Sequence, residues 1–213
     1  IESLDLSNFD FSQFEVIRFG VSAANDRGLD QLISLYLPAS ATFAHLFDAE
    51  VMFRKIGAVS INLPEATFES ITNANYMFEA AKITALNLPK ATFEAVEDCY
   101  GMFRAFPNLK QLSLPEATFT NAELMQIDSC SELLSISMPK ATFHNGYFVI
   151  TGNPKLTTIN MPLAEMNYSQ AGTFAPFSQN DNLETIVLKA GDYMGLDSGN
   201  DTFEFRYTGT KLS

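Results

Sequence analysis

The chain has 213 residues, of which 46% are hydrophobic and 18% charged, and its formal net charge is −12 at pH 7. This composition is typical of a folded chain with a sizeable apolar core, and it excludes disordered and fibrous classes. The 25 acidic against 13 basic side chains argue against nucleic acid and anionic membrane surfaces as partners, because affinity for both comes from basic side chains that displace counterions. There are 19 Phe and no Trp.

One motif, Leu-x-x-Leu-x-Leu followed by a closing residue that is usually Pro, recurs along the whole chain. Eight copies close at Ser7, Pro38, Pro64, Pro89, Pro115, Pro139, Pro162 and Lys189. Neighbouring closing residues are 23 to 31 positions apart. A period of about 25 residues with small variations predicts a solenoid whose loops absorb insertions.

Each Leu-x-Leu segment predicts a short strand with its Leu residues pointing inward and the residue between them outward. Pro directly after the strand has no N–H to donate, so it ends the pairing. Successive strands are expected to stack in parallel. The Met-Phe segments further along each coil, such as residues 76–81, fit either a short helix or a turn of 3₁₀.

Two registers of the repeat hold Phe. The first follows Ala-Thr and comprises Phe43, Phe68, Phe93, Phe119 and Phe143, and the second follows Met and comprises Phe53, Phe78 and Phe103. Residues at one register of a solenoid lie on top of one another. We therefore predict stacked aromatic ladders in the interior, in which each buried Phe contributes about 1.5–3 kcal/mol.

These patterns predict one domain over residues 1–213, an α/β or mostly β solenoid. We expect a right-handed coil of about eight turns of about 25 residues, with a parallel sheet on one face. Residues 1–31 are predicted to form an irregular N-terminal coil, 32–189 the regular repeats and 190–213 a capping strand region, where residues 203–207 alternate between aromatic and charged. A monomer is expected, and no segment is predicted to insert into a membrane.

The motif resembles the leucine-rich repeats over Ile1 to about Lys189. The Pro after the strand, the downstream Phe and the run from Cys130 to Pro139 are similar, more narrowly, to bacterial BspA-like (Treponema-type) leucine-rich repeat surface proteins. The family's Cys register would hold Cys130 in one coil only, with Lys55, Ala80, Phe106 and Asn153 in others. The resemblance implies an extracellular or cell-surface location and adhesion, or binding to an extracellular protein or glycan, with no cofactor.

Leucine-rich repeats commonly bind across the strand face, and the resemblance places the candidate binding residues there. They are the outward residues Tyr36, Asn62, Asn87, Ser113, Ser137 and Asn160. The face is small, polar and almost uncharged. Only Tyr36 is of a type that dominates interface energetics, so the alternative is a solvated Ser/Asn ladder without a partner.

The residue after the Pro alternates in charge along four coils, as Glu65, Lys90, Glu116 and Lys140. Parallel strands lie about 4.8 Å apart, so each inner side chain is expected to have an opposite charge on either side. Such exposed pairs contribute about 0–1 kcal/mol each. We predict that Lys90→Glu lowers the thermal stability more than replacement of Lys155 does.

No catalytic or metal-binding residue is predicted. The two histidines, His45 and His144, are four coils apart, and the two cysteines lack metal-ligand spacing. Asp192 and residues 197–201 faintly suggest a calcium loop, but turn chemistry explains them equally well. Two alternatives to a binding module stay open: a parallel β-helix-like polysaccharide-degrading enzyme, and a rigid structural spacer in a larger surface protein, of which this chain would be a trimmed or mature fragment.

Overall fold

A computed structural model describes residues 1–20, 29–143, 147–164 and 177–188. Within these ranges the chain contains no helix, and its parallel strands are stacked as a β-solenoid of about five turns. Of the two predicted forms, an α/β and a mostly β solenoid, the described residues therefore show the mostly β one. No helix that could cross a membrane occurs among these residues.

Ten strands follow one another along the chain. They are β1 Ser3–Asp5, β2 Ser34–Tyr36, β3 Ser60–Asn62, β4 Ala85–Asn87, β5 Gln111–Ser113, β6 Leu124–Asp128, β7 Ser135–Ser137, β8 Tyr147–Thr151, β9 Thr158–Met161 and β10 Thr185–Leu188. All except β6 and β8 lie on the predicted Leu-x-Leu segments. They pair in parallel and in register, so equivalent apolar residues are stacked: Leu4 with Leu35, Ile61 with Leu86, and Leu112 with Ile136, Ile159 and Ile186.

The face formed by these eight strands, the strand face, is divided into three hydrogen-bonded sheets. They are β1–β2, β3–β4 and β5–β7–β9–β10. The ladder is interrupted between β2 and β3 and between β4 and β5. Between the residues that directly precede β2 and β3 there is a single backbone hydrogen bond, donated by the N–H of Val59 to Ile33 O.

The segments following Met are turns and not helices. In residues 76–80 the two outer positions, Tyr76 and Ala80, have φ of 56° and 54°, which is left-handed backbone that no α-helix contains. Two coils further on, this turn is replaced by β6, which pairs in parallel with β8. The sequence of β6 alternates between apolar and polar side chains, with Met125 and Ile127 buried, and such alternation favours a strand.

The two aromatic ladders predicted from the Phe registers are confirmed. Ring centroids along Phe43, Phe68, Phe93, Phe119 and Phe143 are 5.2–5.7 Å apart, and the rings are within 15° of parallel. Along Phe53, Phe78 and Phe103 the separations are 5.4 and 5.8 Å. All eight rings are 0% exposed. Phe11 and Phe19 extend the two ladders toward the N-terminus.

Buried Asn side chains, Asn153 and Asn180, occupy the position of Cys130 in the next two coils, and we call them the buried amide column. The backbone N–H of Cys130 donates to Asn153 Oδ1 at 3.0 Å, and the N–H of Asn153 donates to Asn180 Oδ1 at 3.0 Å. Each side-chain amide also donates to a backbone carbonyl of the preceding coil, from Asn153 to Ile127 and from Asn180 to Ile150. Because buried polar groups are costly when unpaired, these bonds fix the chain at the point where each coil re-enters the strand face.

The predicted Cys register was wrong at two of its positions. Cys130 follows Ser129, whose φ is 59°, and the equivalent left-handed residues of earlier coils are Lys55, Ala80 and Ala105. The residues that share the position of Cys130 are therefore Ile56, Ala81 and Phe106, all 0% exposed. Lys55 and Ala80 lie one residue too early, because those coils have one residue fewer before the next strand.

The predicted irregular N-terminal coil is only partly irregular, because β1 pairs with β2 in the register of the later strands. Val16 also forms a parallel bridge with Asp48. The predicted capping strand in 190–213, the possible calcium loop at Asp192 and 197–201, and His144 lie outside the described residues.

Candidate functional site

The six predicted binding residues lie at the same repeat position of β2, β3, β4, β5, β7 and β9, in three separate sheets, and together we call them the column. Tyr36 is 55% exposed; Asn62, Asn87 and Ser113 are exposed, and Ser137 and Asn160 are half-buried. Within the sheets their order follows directly from the pairing, with Asn62 beside Asn87, and Ser113, Ser137 and Asn160 in succession.

The column offers hydrogen-bonding groups without charge. Asn87 Nδ2 donates to Asn62 Oδ1 at 2.6 Å, whereas the other four side chains form no hydrogen bond with any described residue. No outward residue of the strand face from β2 onward is charged. A partner would be held there by hydrogen bonds and shape, with apolar contacts at the Tyr36 ring and at Val187, which lies beside Asn160 and is 40% exposed.

The charges after the Pro form separate pairs and not a continuous ladder. Lys90 pairs with Glu65, and Lys140 pairs with Glu116. No ion pair joins Lys90 to Glu116, so the prediction of an opposite charge on either side was wrong. Each pair lies within one sheet, whereas Lys90 and Glu116 are separated by the interruption between β4 and β5.

The predicted difference between Lys90 and Lys155 loses its basis as well. Lys155 Nζ lies 2.7 Å from both carboxylate oxygens of Glu132. Both lysines are about half exposed. Because Lys90→Ala and Lys155→Ala would each remove one exposed ion pair, we expect similar and small effects of these two variants on stability.

A second set of charge pairs, which the sequence reasoning missed, follows the Met-Phe turns. Arg54 Nε lies 2.5 Å from Glu79 Oε2, and Arg104 Nε lies 3.3 Å from Asp128 Oδ2. The Arg54 guanidinium also stands 5.4 Å from the centroid of the Tyr76 ring. The signal was present in the sequence, because the residue after Met-Phe is alternately Arg, Glu and Arg in successive coils.

The two cysteines are unsuited to nucleophilic chemistry. Burial raises the pKa of the Cys99 thiol to about 12, helped by the nearby Asp98 carboxylate. Burial likewise raises the pKa of Cys130 to about 12. Each sulfur is close to backbone carbonyls, with Cys99 Sγ 3.1 Å from Leu124 O. Both side chains therefore stay protonated near neutral pH.

We expect neither thiol to react with an aromatic disulfide reagent in the native protein at pH 8, because the thiolate is the reactive form and both groups are buried. In denaturant both should react at once. The released chromophore measures the reaction. Rapid modification of one equivalent without denaturant would contradict the burial of that cysteine.

Among the described residues, no three His, Cys, Asp or Glu side chains are grouped so that they could hold a metal ion. Comparison of the chain with protein-family models, with curated proteins and with solved structures gives no match. What the protein does must therefore be argued from its own surface.

Proposed function

We propose that this chain is a non-catalytic binding module, a leucine-rich repeat solenoid of the BspA-like type with about eight right-handed coils. It acts outside the cell or at the cell surface, as a monomer, and binds an extracellular protein or glycan through the strand face. The eight Leu-x-Leu strands support the coil count. The observation that carries the function is the uncharged column of Tyr36, Asn62, Asn87, Ser113, Ser137 and Asn160.

A binding role fits these side chains better than hydrolysis does. Glycoside hydrolysis requires two carboxyl groups that face one another across the substrate. The strand face, where the proposed binding site lies, carries none from β2 onward. Hydroxyl and amide groups held at one spacing are suited instead to reversible hydrogen bonding.

The test is a binding screen with the protein immobilised against extracellular proteins and a glycan array. For any ligand found, we expect Tyr36→Ala to weaken binding by about 2 kcal/mol or more, as is usual for a Tyr hot spot, and Asn87→Ala to weaken it less. Glu69→Ala is the control, because Glu69 is exposed on the Ala-Thr-Phe side. Binding that both strand-face variants leave unchanged would refute this site. New reducing ends on incubation with plant, algal or host glycans would refute the non-catalytic role.

A rigid spacer is the second candidate, and the aromatic ladders favour it. Five Phe rings are stacked without interruption from Phe43 to Phe143, and this arrangement resists bending between neighbouring coils. A spacer predicts that no ligand depends on Tyr36. The same pair of variants therefore distinguishes the two functions.

A further inference from the structure

A hollow of about 290 Å³ lies at the N-terminal end of the solenoid, between residues 7–12 and residues 38–42. It is open to solvent on one side. Both segments follow a strand of the strand face, β1 and β2, so the hollow lies where the chain leaves that face and not on it.

The hollow has a cause in the sequence. In the regular coils the Phe of Ala-Thr-Phe comes four residues after the Pro, as in Pro64 to Phe68, but Phe43 comes five residues after Pro38. When the loops are aligned on Ala-Thr-Phe, Ser40 takes the place of Glu65 and Ala39 that of Pro64, so the additional residue lies between β2 and this turn. The turn keeps the regular backbone bond, from Ala41 N to Pro38 O, but it begins one residue further from its strand than the later turns do.

The insertion coincides with the end of a hydrogen-bonded ladder. In the regular loops both the backbone N–H and the hydroxyl of each Thr donate to the Thr carbonyl of the preceding coil, from Thr92 to Thr67, from Thr118 to Thr92 and from Thr142 to Thr118. No such bond joins Thr67 to Thr42. The exposed side chain of Thr42 forms no hydrogen bond with a described residue, so its hydroxyl is available in the hollow.

The lining combines one exposed aromatic face with oxygen atoms. Phe9 is 46% exposed, and its ring is held 4.9 Å from Phe11 and 5.6 Å from Phe14. Phe11 is buried and stacks on Phe43 at 5.5 Å. The orientation of the exposed ring is thus fixed before any ligand arrives.

Among the described residues of the lining, Asp10 is the one that carries a charge. Its Oδ1 accepts a hydrogen bond from the Ser12 backbone N–H at 2.8 Å, and this bond lowers the pKa of Asp10 below its usual value. The carboxylate is therefore ionised at neutral pH and can accept from two adjacent hydroxyl groups. No Lys or Arg of the described ranges lines the hollow, so its one carboxylate disfavours phosphates, sulfates and uronic acids.

We propose that this hollow binds a single neutral sugar residue, which packs its C–H face on Phe9 and donates hydroxyl hydrogens to the Asp10 carboxylate. Ser40 and Thr42 provide further hydroxyl partners. The volume lies at the small end of the roughly 300–1,000 Å³ of small-molecule sites, which suits one ring and not an oligosaccharide. The hollow is separate from the strand face, so this proposal does not depend on the binding function proposed for the strand face.

The experiment is saturation-transfer NMR on the whole chain with the methyl glycosides of glucose, galactose, mannose, N-acetylglucosamine and fucose, each used alone. At least one should bind and shift amide resonances within residues 7–12 and 38–42. Asp10→Asn keeps the shape and removes the charge, so it should weaken binding at least about tenfold. Deletion of Ser40 restores the regular loop length and should abolish binding while the protein stays folded. Glu69→Ala, at an exposed residue outside both the hollow and the strand face, should bind as the wild type does.

Absence of binding by all five glycosides would overturn the proposal, as would binding that Asp10→Asn leaves intact. Calcium chloride and inorganic phosphate serve as separate probes, and a response to either one without any response to a glycoside would also overturn it. If the Ser40 deletion fails to fold, Phe9→Ala replaces it, because Phe9 is 46% exposed and its loss should abolish the sugar contact at a smaller cost in stability than loss of a buried ladder ring.

Discussion

Phe93→Ala is expected to lower the free energy of unfolding by about 3–5 kcal/mol. Phe93 is 0% exposed and lies in the middle of its ladder, 5.3 Å from Phe68 and 5.2 Å from Phe119. The substitution removes two stacking contacts and leaves a cavity that neighbouring coils cannot fill, because their backbones are hydrogen-bonded on both sides. Urea denaturation followed by circular dichroism measures the change.

The matched control is Phe47→Ala. Phe47 is 45% exposed and belongs to neither ladder, so its replacement should cost less than about 1 kcal/mol. If Phe93→Ala leaves too little folded protein to measure, Phe93→Leu keeps most of the volume and should still cost more than the control does. Equal effects of the Phe93 and Phe47 variants would mean that the ladder does not stabilise the solenoid.

Asn153→Ala is expected to cost about 3 kcal/mol, although it removes few atoms. Asn153 is 0% exposed; without its amide the N–H of Cys130 loses its partner inside the protein, and Ile127 O and Asn180 Oδ1 each lose one donor. Each unpaired buried group costs about 1–3 kcal/mol. Asn121→Ala is the control, because Asn121 is exposed and donates a single bond, to Glu94 O. A cost for Asn153→Ala no greater than for Asn121→Ala would contradict the buried amide column.

Asn153→Asp adds a pH-dependent test of the same column. One carboxylate oxygen would face the Ile127 carbonyl, which now accepts from the amide at 3.1 Å, so the protonated form is favoured in the folded state. Its folded pKa is then raised above the unfolded value of about 3.9. The free energy of unfolding of the variant should be closest to that of the wild type below about pH 3.9, where the carboxyl is protonated in both states. It should fall as the pH rises through the folded pKa of the carboxyl. A cost independent of pH would show that position 153 is open to water.

The repeat made most of the strand face predictable. A pattern copied eight times places Leu-x-Leu and two Phe registers at constant spacing, and in a solenoid equal spacing means direct stacking. The strands and the ladders follow from that rule alone. Coils that depart from the repeat were less predictable. In β6 the polar residues Gln126 and Asp128 alternate with apolar ones, as in a strand, but the repeat itself does not reveal that the earlier coils form a turn at this position.

The details of the sites depended on three-dimensional information that spacing does not contain. Alternating charges predicted a continuous ladder, but the interruption between β4 and β5 limits them to pairs, and no residue type marks that interruption. Counting back from the Pro assigns Asn153 correctly to the position of Cys130. The same count places Lys55 and Ala80 there wrongly, one residue too early, because their coils have one residue fewer before the next strand. The additional residue between β2 and Phe43 can be read from the sequence, although the hollow beside it cannot.

Disulfide formation between adjacent coils tests the in-register solenoid and its strand face most directly. In the double variant Asn62→Cys with Asn87→Cys, the two Cα atoms face one another on paired strands, about 4.8 Å apart, within the range that a disulfide spans. Mild oxidation should link them completely, as measured by intact mass after alkylation. Asn62→Cys with Ser113→Cys places the thiols two coils apart, about 10 Å, and should stay reduced. Linkage of the second pair, or failure of the first in a folded protein, would contradict the stacking on which the binding surface depends.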